Sequence, residues 1–201
     1  MAALHVARAA CFWFLLRVVP TFSDTVLRFQ LLNGVSFALV GLATLLLVRP
    51  SLSDLGIDPM GMSRRARWAS VAGAAVLALA VATSAIFGVR MFVMNVTFGL
   101  AIPAFEEGLF RGWIFGGAAK AFGGRAAAVA TSLLFGLWHL GYADVLLQHP
   151  LATGAPSVLF LLGTKVVIGV VLGALLGWLR LRTERTFAPF VLHGIFNVFG
   201  P

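Results

Sequence analysis

Residues 158–181 read VLFLLGTKVVIGVVLGALLGWLRL, an apolar run whose first charged residue is Lys165. About 20 such residues, each rising about 1.5 Å along a helix, cross the roughly 30 Å hydrocarbon layer of a bilayer. Gly169, Gly173 and Gly177 recur every four residues, a spacing that lets two transmembrane helices approach closely. The stretch therefore predicts a transmembrane helix that packs through its glycines.

Apolar runs of similar character occupy most of the remaining chain. They lie at Phe29–Val48, Trp68–Val89, Met91–Ala119, Ala126–Ala143 and, in a shorter form, Phe187–Phe199. These runs are apolar on every face, whereas strands of a membrane barrel alternate apolar and polar residues over about ten positions. The sequence predicts an all-α, polytopic transmembrane helix bundle of about six to seven helices. The bundle is expected to form a single membrane domain over residues 1–201.

The segment Leu4–Val19 has a shorter apolar core, which Arg8 and Arg17 flank. A secretory signal peptide would continue its apolar region where Arg17 stands. The pattern favours either an extra span or a helix that lies in the membrane interface.

Composition excludes a soluble globule and a disordered tail. Hydrophobic residues make up 60% of the chain and charged residues 11%, against about 45–50% and about 25% in soluble domains. The net charge is +8, but the basic residues fall between apolar runs, where the positive-inside rule accounts for them without a nucleic acid. A single cysteine, Cys11, excludes an internal disulfide and any cysteine-based metal cluster.

The distribution of basic residues predicts an orientation in the membrane. With the loop Arg49–Arg67 in the cytoplasm, nine Lys and Arg residues fall inside and two, Arg28 and Arg90, fall outside. The opposite loop, Asp144–Ser157, contains no Lys or Arg. We therefore expect a multi-pass protein of a bacterial inner membrane, with its basic loops in the cytoplasm.

Two adjacent glutamates interrupt the third apolar run. A charge at mid-bilayer costs about 2.5–3.5 kcal/mol on insertion scales, so each is a candidate for function. Glu107 and Arg111 share a helix face at i,i+4, whereas Glu106 is rotated by about 100°. We expect Glu107 to neutralise Arg111 and Glu106 to stay free, with Pro103 loosening the helix one turn earlier. A structural ion pair between helices also explains Glu107 and Arg111, but it leaves Glu106 without a role.

Further polar residues break two other apolar runs. Phe135 and His139 lie four residues apart in one run, and His193 and Asn197 lie four residues apart in the last. Each polar side chain must be satisfied inside the bundle, because lipid offers no hydrogen bonds. No role is predicted for the two remaining histidines, His5 and His149.

Counting along the helices predicts that these groups share one depth. Glu106 lies 14 residues before Lys120, and His139 lies 14 residues after Arg125. At about 1.5 Å per residue, both are roughly 21 Å from the basic edge of the bundle, and Asn197 is about 18 Å from Arg185. The polar groups could thus form one site, and on this count it lies in the outer half of the membrane.

The polar motifs resemble those of the CPBP family, which groups CAAX prenyl endopeptidases of the second type with bacteriocin-processing and immunity-type membrane proteins. That family shows EExxxR, FxxxH and Hxxx(N/D) on successive helices. The corresponding residues here are Glu106, Glu107 and Arg111, then Phe135 and His139, then His193 and Asn197. The resemblance covers roughly residues 91–199, which it marks as the catalytic core.

The resemblance implies a metal-independent glutamic intramembrane protease that needs no cofactor. In such a protease Glu106 is the general base that activates water, with His139 beside it, and His193 and Asn197 stabilise the oxyanion. A carboxylate in an apolar pocket suits the role of a general base. The implied substrate is a membrane-anchored protein or peptide that is cut near its anchor.

The same resemblance assigns supporting roles to three residues. Glu107 and Arg111 would support the site, and Phe135 would pack against it.

Three alternatives remain open at this point. One carboxylate and two histidines also make a plausible zinc set. A non-catalytic immunity or scaffold protein of the same fold would need no hydrolysis. A proton or solute transporter would use buried Glu and His residues as a relay, although no inverted repeat stands out.

Overall fold

The structure is a computed structural model that describes residues 1–57, 62–142 and 157–199. All regular elements in this part of the chain are helical, as predicted. They are α1 (Ala2–Val18), α2 (Thr25–Val48), α3 (Arg64–Thr83), α4 (Val89–Phe122), α5 (Gly124–Trp138), α6 (Val158–Thr183) and α7 (Phe187–Phe199). Short 3₁₀ turns extend α3 over Ser84–Phe87 and α5 over His139–Tyr142. Most of the predicted loop Asp144–Ser157, including His149, lies outside the described residues, as do 58–61.

In the part of the chain that the structure describes, four helices are long and apolar enough to cross a membrane, namely α2, α3 with its 3₁₀ turn, α4 and α6. Their outward side chains are apolar: Leu47, Ile86 and Leu159 are each 80% or more exposed. A soluble fold would bury such residues, so this surface is suited to lipid. The chain is an integral membrane protein. The predicted Leu4–Val19 segment is the helix α1, whose buried Phe12 packs against Phe29 of α2 at a ring distance of 5.0 Å.

Glycines allow α5 and α6 to pack in close contact, as the four-residue spacing predicts. A Cβ at Gly169 would lie 2.8 Å from Nδ1 of His139, and one at Gly173 would lie 3.0 Å from Cα of Ser132. The first distance is shorter than real Cβ contacts show and the second is tighter than most of them, so glycine favours this close approach. The contact fixes the height of His139 against α6.

The helix α4 is irregular around its acidic residues. Two π-helical segments, Thr97–Ala101 and Gly108–Ile114, flank a short α-helical segment at Ile102–Glu107. Pro103 lies in the first turn of that segment, where its missing N–H removes a backbone hydrogen bond. Such π segments recur at functional sites because they change the direction of neighbouring side chains. We predicted an irregular helix one turn before the glutamates, at Pro103, and the backbone of α4 is irregular on both sides of them.

One end of the bundle is closed by the loop after α2. Asp54 accepts a hydrogen bond from Nζ of Lys120 at 2.7 Å, and Thr186 donates its hydroxyl to the carbonyl of Leu55 at 2.6 Å. The hydrogen bonds from Lys120 and Ser51 lower the pKa of Asp54 to about 2, so this exposed pair stays charged at neutral pH. The loop ties α4 to the turn between α6 and α7.

The same loop shortens the distance from the basic end of the bundle to the acidic residues. A Cβ at Gly112 would lie only 3.2 Å from Cα of Leu55, so the loop folds back alongside α4. Glu106 is six residues from Gly112, which is about 9 Å along a helix. The count from Lys120 gave roughly 21 Å because it took the end of α4 as the edge of the bundle.

Candidate active site

Glu106 occupies the centre of the bundle and is 1% exposed. Its Oε1 atom accepts two hydrogen bonds, from the indole Nε1 of Trp138 at 2.8 Å and from the hydroxyl of Tyr142 at 2.5 Å. Its Oε2 atom faces Nε2 of His193 across 3.7 Å, which is longer than a direct hydrogen bond. The two oxygens of this carboxylate therefore have different surroundings.

Glu107 forms the ion pair with Arg111 that the sequence predicts, at 3.0 Å and with both side chains fully buried. The same Oε1 atom also lies 2.9 Å from Nδ1 of His193. Arg111 is held further by a hydrogen bond from Nη2 to the carbonyl of Gly173 at 2.9 Å. Glu107 thus joins α4 to α7, and Arg111 joins α4 to α6.

The hydrogen bond to Glu107 fixes the protonation pattern of His193. A carboxylate oxygen that also receives Arg111 acts as an acceptor, so Nδ1 of His193 carries the proton. Nε2 is then directed at Glu106. This ring nitrogen accepts in the neutral imidazole and donates in the imidazolium.

His139 lies at the end of α5, half-buried, with Nδ1 2.8 Å from the carbonyl oxygen of Phe135. Because a carbonyl only accepts, the proton resides on Nδ1 and Nε2 stays available for substrate or water. The centroid of its ring lies 5.6 Å from that of Tyr142, whose hydroxyl donates to Glu106. His139 is thus brought to the same site as the motifs on α4 and α7.

Phe135 forms one wall of the site and is fully buried. The guanidinium carbon of Arg111 lies 4.5 Å from the centre of its ring. The edge of the ring meets His139 at 5.0 Å and His193 at 5.5 Å between centroids. Phe135 therefore contacts the cation and both imidazoles.

Asn197 lies one turn beyond His193 on the same face of α7, as predicted. Its Nδ2 donates to the carbonyl of Phe98 at 3.0 Å, in the first π segment of α4. Among the described residues, no hydrogen bond joins Asn197 to Glu106 or His193. One N–H of its amide remains for another acceptor.

Sequence reasoning missed two direct partners of Glu106, Trp138 and Tyr142. The sequence did contain an indication that these two residues act together, since Tyr142 is the only tyrosine of the chain and lies four residues after Trp138. Two polar aromatic residues at i,i+4 near the end of an apolar helix place their donors on one face. Nothing in the sequence indicated that this face meets Glu106.

The α1 helix covers the site, which the sequence did not predict. The ring of His5 stacks on Trp138 with centroids 3.5 Å apart. Arg8 is 1% exposed and lies over the rings of Phe37 and Tyr142, at 5.5 and 5.7 Å. A basic residue that resembled the flank of a short helix is in fact inside the bundle.

An apolar groove reaches the helical turn that carries the two glutamates. It has a volume of about 210 Å³ and runs between α2, α4 and the loop after α2. Its lining includes Thr44, Leu55, Phe105, Gly108 and Trp113. The groove is open at the side of the bundle.

The part of the chain that carries these motifs matches a known protein family. The family model described as Rce1-like, Type II CAAX prenyl endopeptidase Rce1-like, matches residues 88–199. The match covers α4 to α7 and hence all seven residues that the motifs single out. No curated protein and no solved structure matches the chain.

Proposed function

Because the chain belongs to the Rce1-like family of Type II CAAX prenyl endopeptidases, we propose that it is an intramembrane endopeptidase that cuts a membrane-anchored protein or peptide near its anchor. The observation that carries this proposal is the asymmetry of Glu106. Oε1 is occupied by two donors, whereas Oε2 faces His193 across 3.7 Å. A contact of that length admits a water molecule bonded to both groups.

In this mechanism Glu106 acts as the general base. The water gives a proton to Oε2 while its oxygen attacks the carbonyl carbon of the scissile peptide bond, which forms a tetrahedral oxyanion. When the C–N bond breaks, the departing amine takes the proton from Glu106, and the new carboxylic acid is released and then gives its own proton to solvent. His139, whose Nε2 is available, assists in holding the water beside Glu106.

The oxyanion is stabilised by donors from α7. His193, held by Glu107 on Nδ1, donates through Nε2 when it is an imidazolium. Asn197 offers the N–H that Phe98 does not use. Removal of one such donor commonly slows turnover by about 10²–10³-fold.

Arg111 and Phe135 support this arrangement without touching the substrate. Arg111 balances Glu107, so the pair can remain buried beside an acidic base. Phe135 excludes water from that pair and keeps the two histidines apart. These are positioning roles.

The groove beside Phe105 and Gly108 is suited to the apolar anchor of the substrate. Its lining is almost wholly apolar and includes Phe105 and Gly108, the sequence neighbours of the two glutamates. An anchor in this groove would lie along the helical turn that carries Glu106. We place the protein in a bacterial inner membrane, which the excess of basic residues at the loop-bearing end supports.

The experiment that tests this function compares membrane proteomes. Membranes that contain the wild-type protein should yield a new peptide terminus that is absent with Glu106→Gln, and Glu184→Gln serves as a matched exposed control. If wild type and Glu106→Gln yield the same termini, the immunity or scaffold alternative replaces the proposal. Loss of cleavage on treatment with EDTA, restored by zinc, would instead support the metal alternative.

A further inference from the structure

Two residues outside the motifs donate hydrogen bonds to the carboxylate of Glu106. The indole of Trp138 and the hydroxyl of Tyr142 both donate to Oε1 of Glu106, at 2.8 and 2.5 Å. Among the described residues, Oε2 accepts no hydrogen bond and its nearest nitrogen is Nε2 of His193. A carboxylate that is free to rotate would exchange its two oxygens, and here the donor pair prevents that exchange.

We propose that Trp138 and Tyr142 are positioning residues that hold Oε1 of Glu106, so that Oε2 alone receives the proton of the attacking water. The inference rests on the proposed function, since it assigns the work of that same base to one oxygen atom. Two donors on one carboxylate oxygen leave the lone pairs of the other oxygen directed at His193.

The donors are themselves held by rings from three other helices. Trp138 is stacked by His5 of α1 and packs against Phe105 and Phe110 of α4, with centroids 6.0 and 5.7 Å away. Tyr142 stacks on Phe37 of α2 at 5.9 Å. These contacts leave each ring little freedom to turn its donor away.

The two donors lie on the same helix, which fixes their positions relative to each other. They lie four residues apart on α5 and its 3₁₀ extension, and the hydroxyl of Tyr142 is 3.4 Å from Nε1 of Trp138. Both therefore approach the same oxygen from one side. Other titratable or charged groups face Glu106 or its donors: Glu107 and Arg111 on α4, His139 on α5, His193 on α7, and Arg8 on α1.

The activity test uses variants that remove only the donors. Tyr142→Phe and Trp138→Phe should each lower kcat about 10- to 100-fold, as general-base terms of about 10²–10⁴ allow, with little change in KM. Trp68→Phe, at an exposed position on α3, is the matched control and should behave as wild type. An unchanged kcat in both site variants, or a rise in KM alone, would overturn the inference.

A second test needs no substrate. Because Tyr142 is the only tyrosine, 3-fluorotyrosine labels this one site and gives a single ¹⁹F resonance. Glu106→Gln should shift that resonance beyond its linewidth, while Glu184→Gln should leave it in place. If the resonance does not shift in Glu106→Gln, the hydrogen bond between Tyr142 and Glu106 does not form, and the inference fails. If the resonance responds but the wild-type protein cuts nothing, the proposed function fails and the contact stands.

Discussion

Nδ1 of His193 lies 2.9 Å from Oε1 of Glu107, and this hydrogen bond connects the second glutamate of the pair to the opposite wall of the site. It gives Glu107 a task beyond the neutralisation of Arg111. By holding the proton on Nδ1, it directs Nε2 of His193 at Glu106. The adjacent glutamates thus have different surroundings: Glu106 is the proposed base, and Glu107 orients the imidazole.

The buried ion pair predicts a folding defect. Glu107→Ala and Arg111→Ala each leave an uncompensated charge where both side chains are fully buried, which costs about 3–5 kcal/mol. We expect a large loss of monodisperse protein in size-exclusion chromatography and a lower Tm. Arg182→Ala, near the exposed end of α6, is the matched control. If Glu107→Ala and Arg111→Ala fold normally and lose only activity, the supporting role is wrong.

Asn197→Ala should slow turnover more than it weakens substrate binding. An oxyanion donor acts mainly in the transition state, so kcat should fall by about 10²–10³-fold while KM changes little. Asn95→Ala removes the same amide from a half-buried position on α4 outside the site and is the control. Steady-state kinetics of both variants decide the matter. A rise in KM with unchanged kcat would assign Asn197 to substrate binding.

The groove predicts a substitution that blocks anchor binding. A Cβ at Gly108 would meet no atom within 4 Å, and Gly108 lines the groove, so Gly108→Leu should fill it without a clash. We expect KM for an anchored substrate to rise at least about tenfold, since a buried alkyl segment contributes about 0.8 kcal/mol per CH₂.

The control for the groove lies on the same helix. Gly117 also has open space and does not line the groove, so Gly117→Leu should leave KM unchanged. Equal effects of the two substitutions would show that a bulky residue anywhere on α4 disturbs the protein. An unchanged KM with Gly108→Leu would place the anchor elsewhere.

Membrane orientation is predicted by the basic loops. Ser63 caps the start of α3 beside the loop-bearing end, and Ser157 caps the start of α6. In a Cys11→Ser background, an impermeant maleimide added to intact cells should label Ser157→Cys and leave Ser63→Cys unlabelled. Labelling at Ser63→Cys alone would invert the topology. Glu106 lies about 9 Å along α4 from Gly112, where the loop after α2 contacts the helix. This experiment therefore also decides which compartment is nearest to the site.

Hydropathy and spacing predicted the helices, because a bilayer restricts the fold to long apolar segments. The final helix was predicted with the bounds Phe187–Phe199 that it has. The pairing of Glu107 with Arg111 was also predictable, since it lies within one helix. These features depend on local sequence or on the membrane itself.

Contacts between distant segments could not be predicted in the same way. The approach of Trp138 and Tyr142 to Glu106 depends on how α5 rotates against α4, which the glycines of α6 help to set. The burial of Arg8 depends on α1 packing over α2, and Arg8 looked like an ordinary flanking charge. The return of the loop that carries Leu55 alongside Gly112 was not predictable either, because it also depends on contacts between distant segments.

The most direct measurement is the kcat of Glu106→Gln in liposomes. The substrate is the uncleaved precursor whose new terminus membrane proteomics identifies. The substitution keeps the size and much of the hydrogen bonding of Glu106 but removes the base. The account predicts near-normal expression and membrane insertion with a loss of at least about 100-fold in kcat, the lower bound for general-base catalysis. Full activity of Glu106→Gln would contradict the glutamate mechanism.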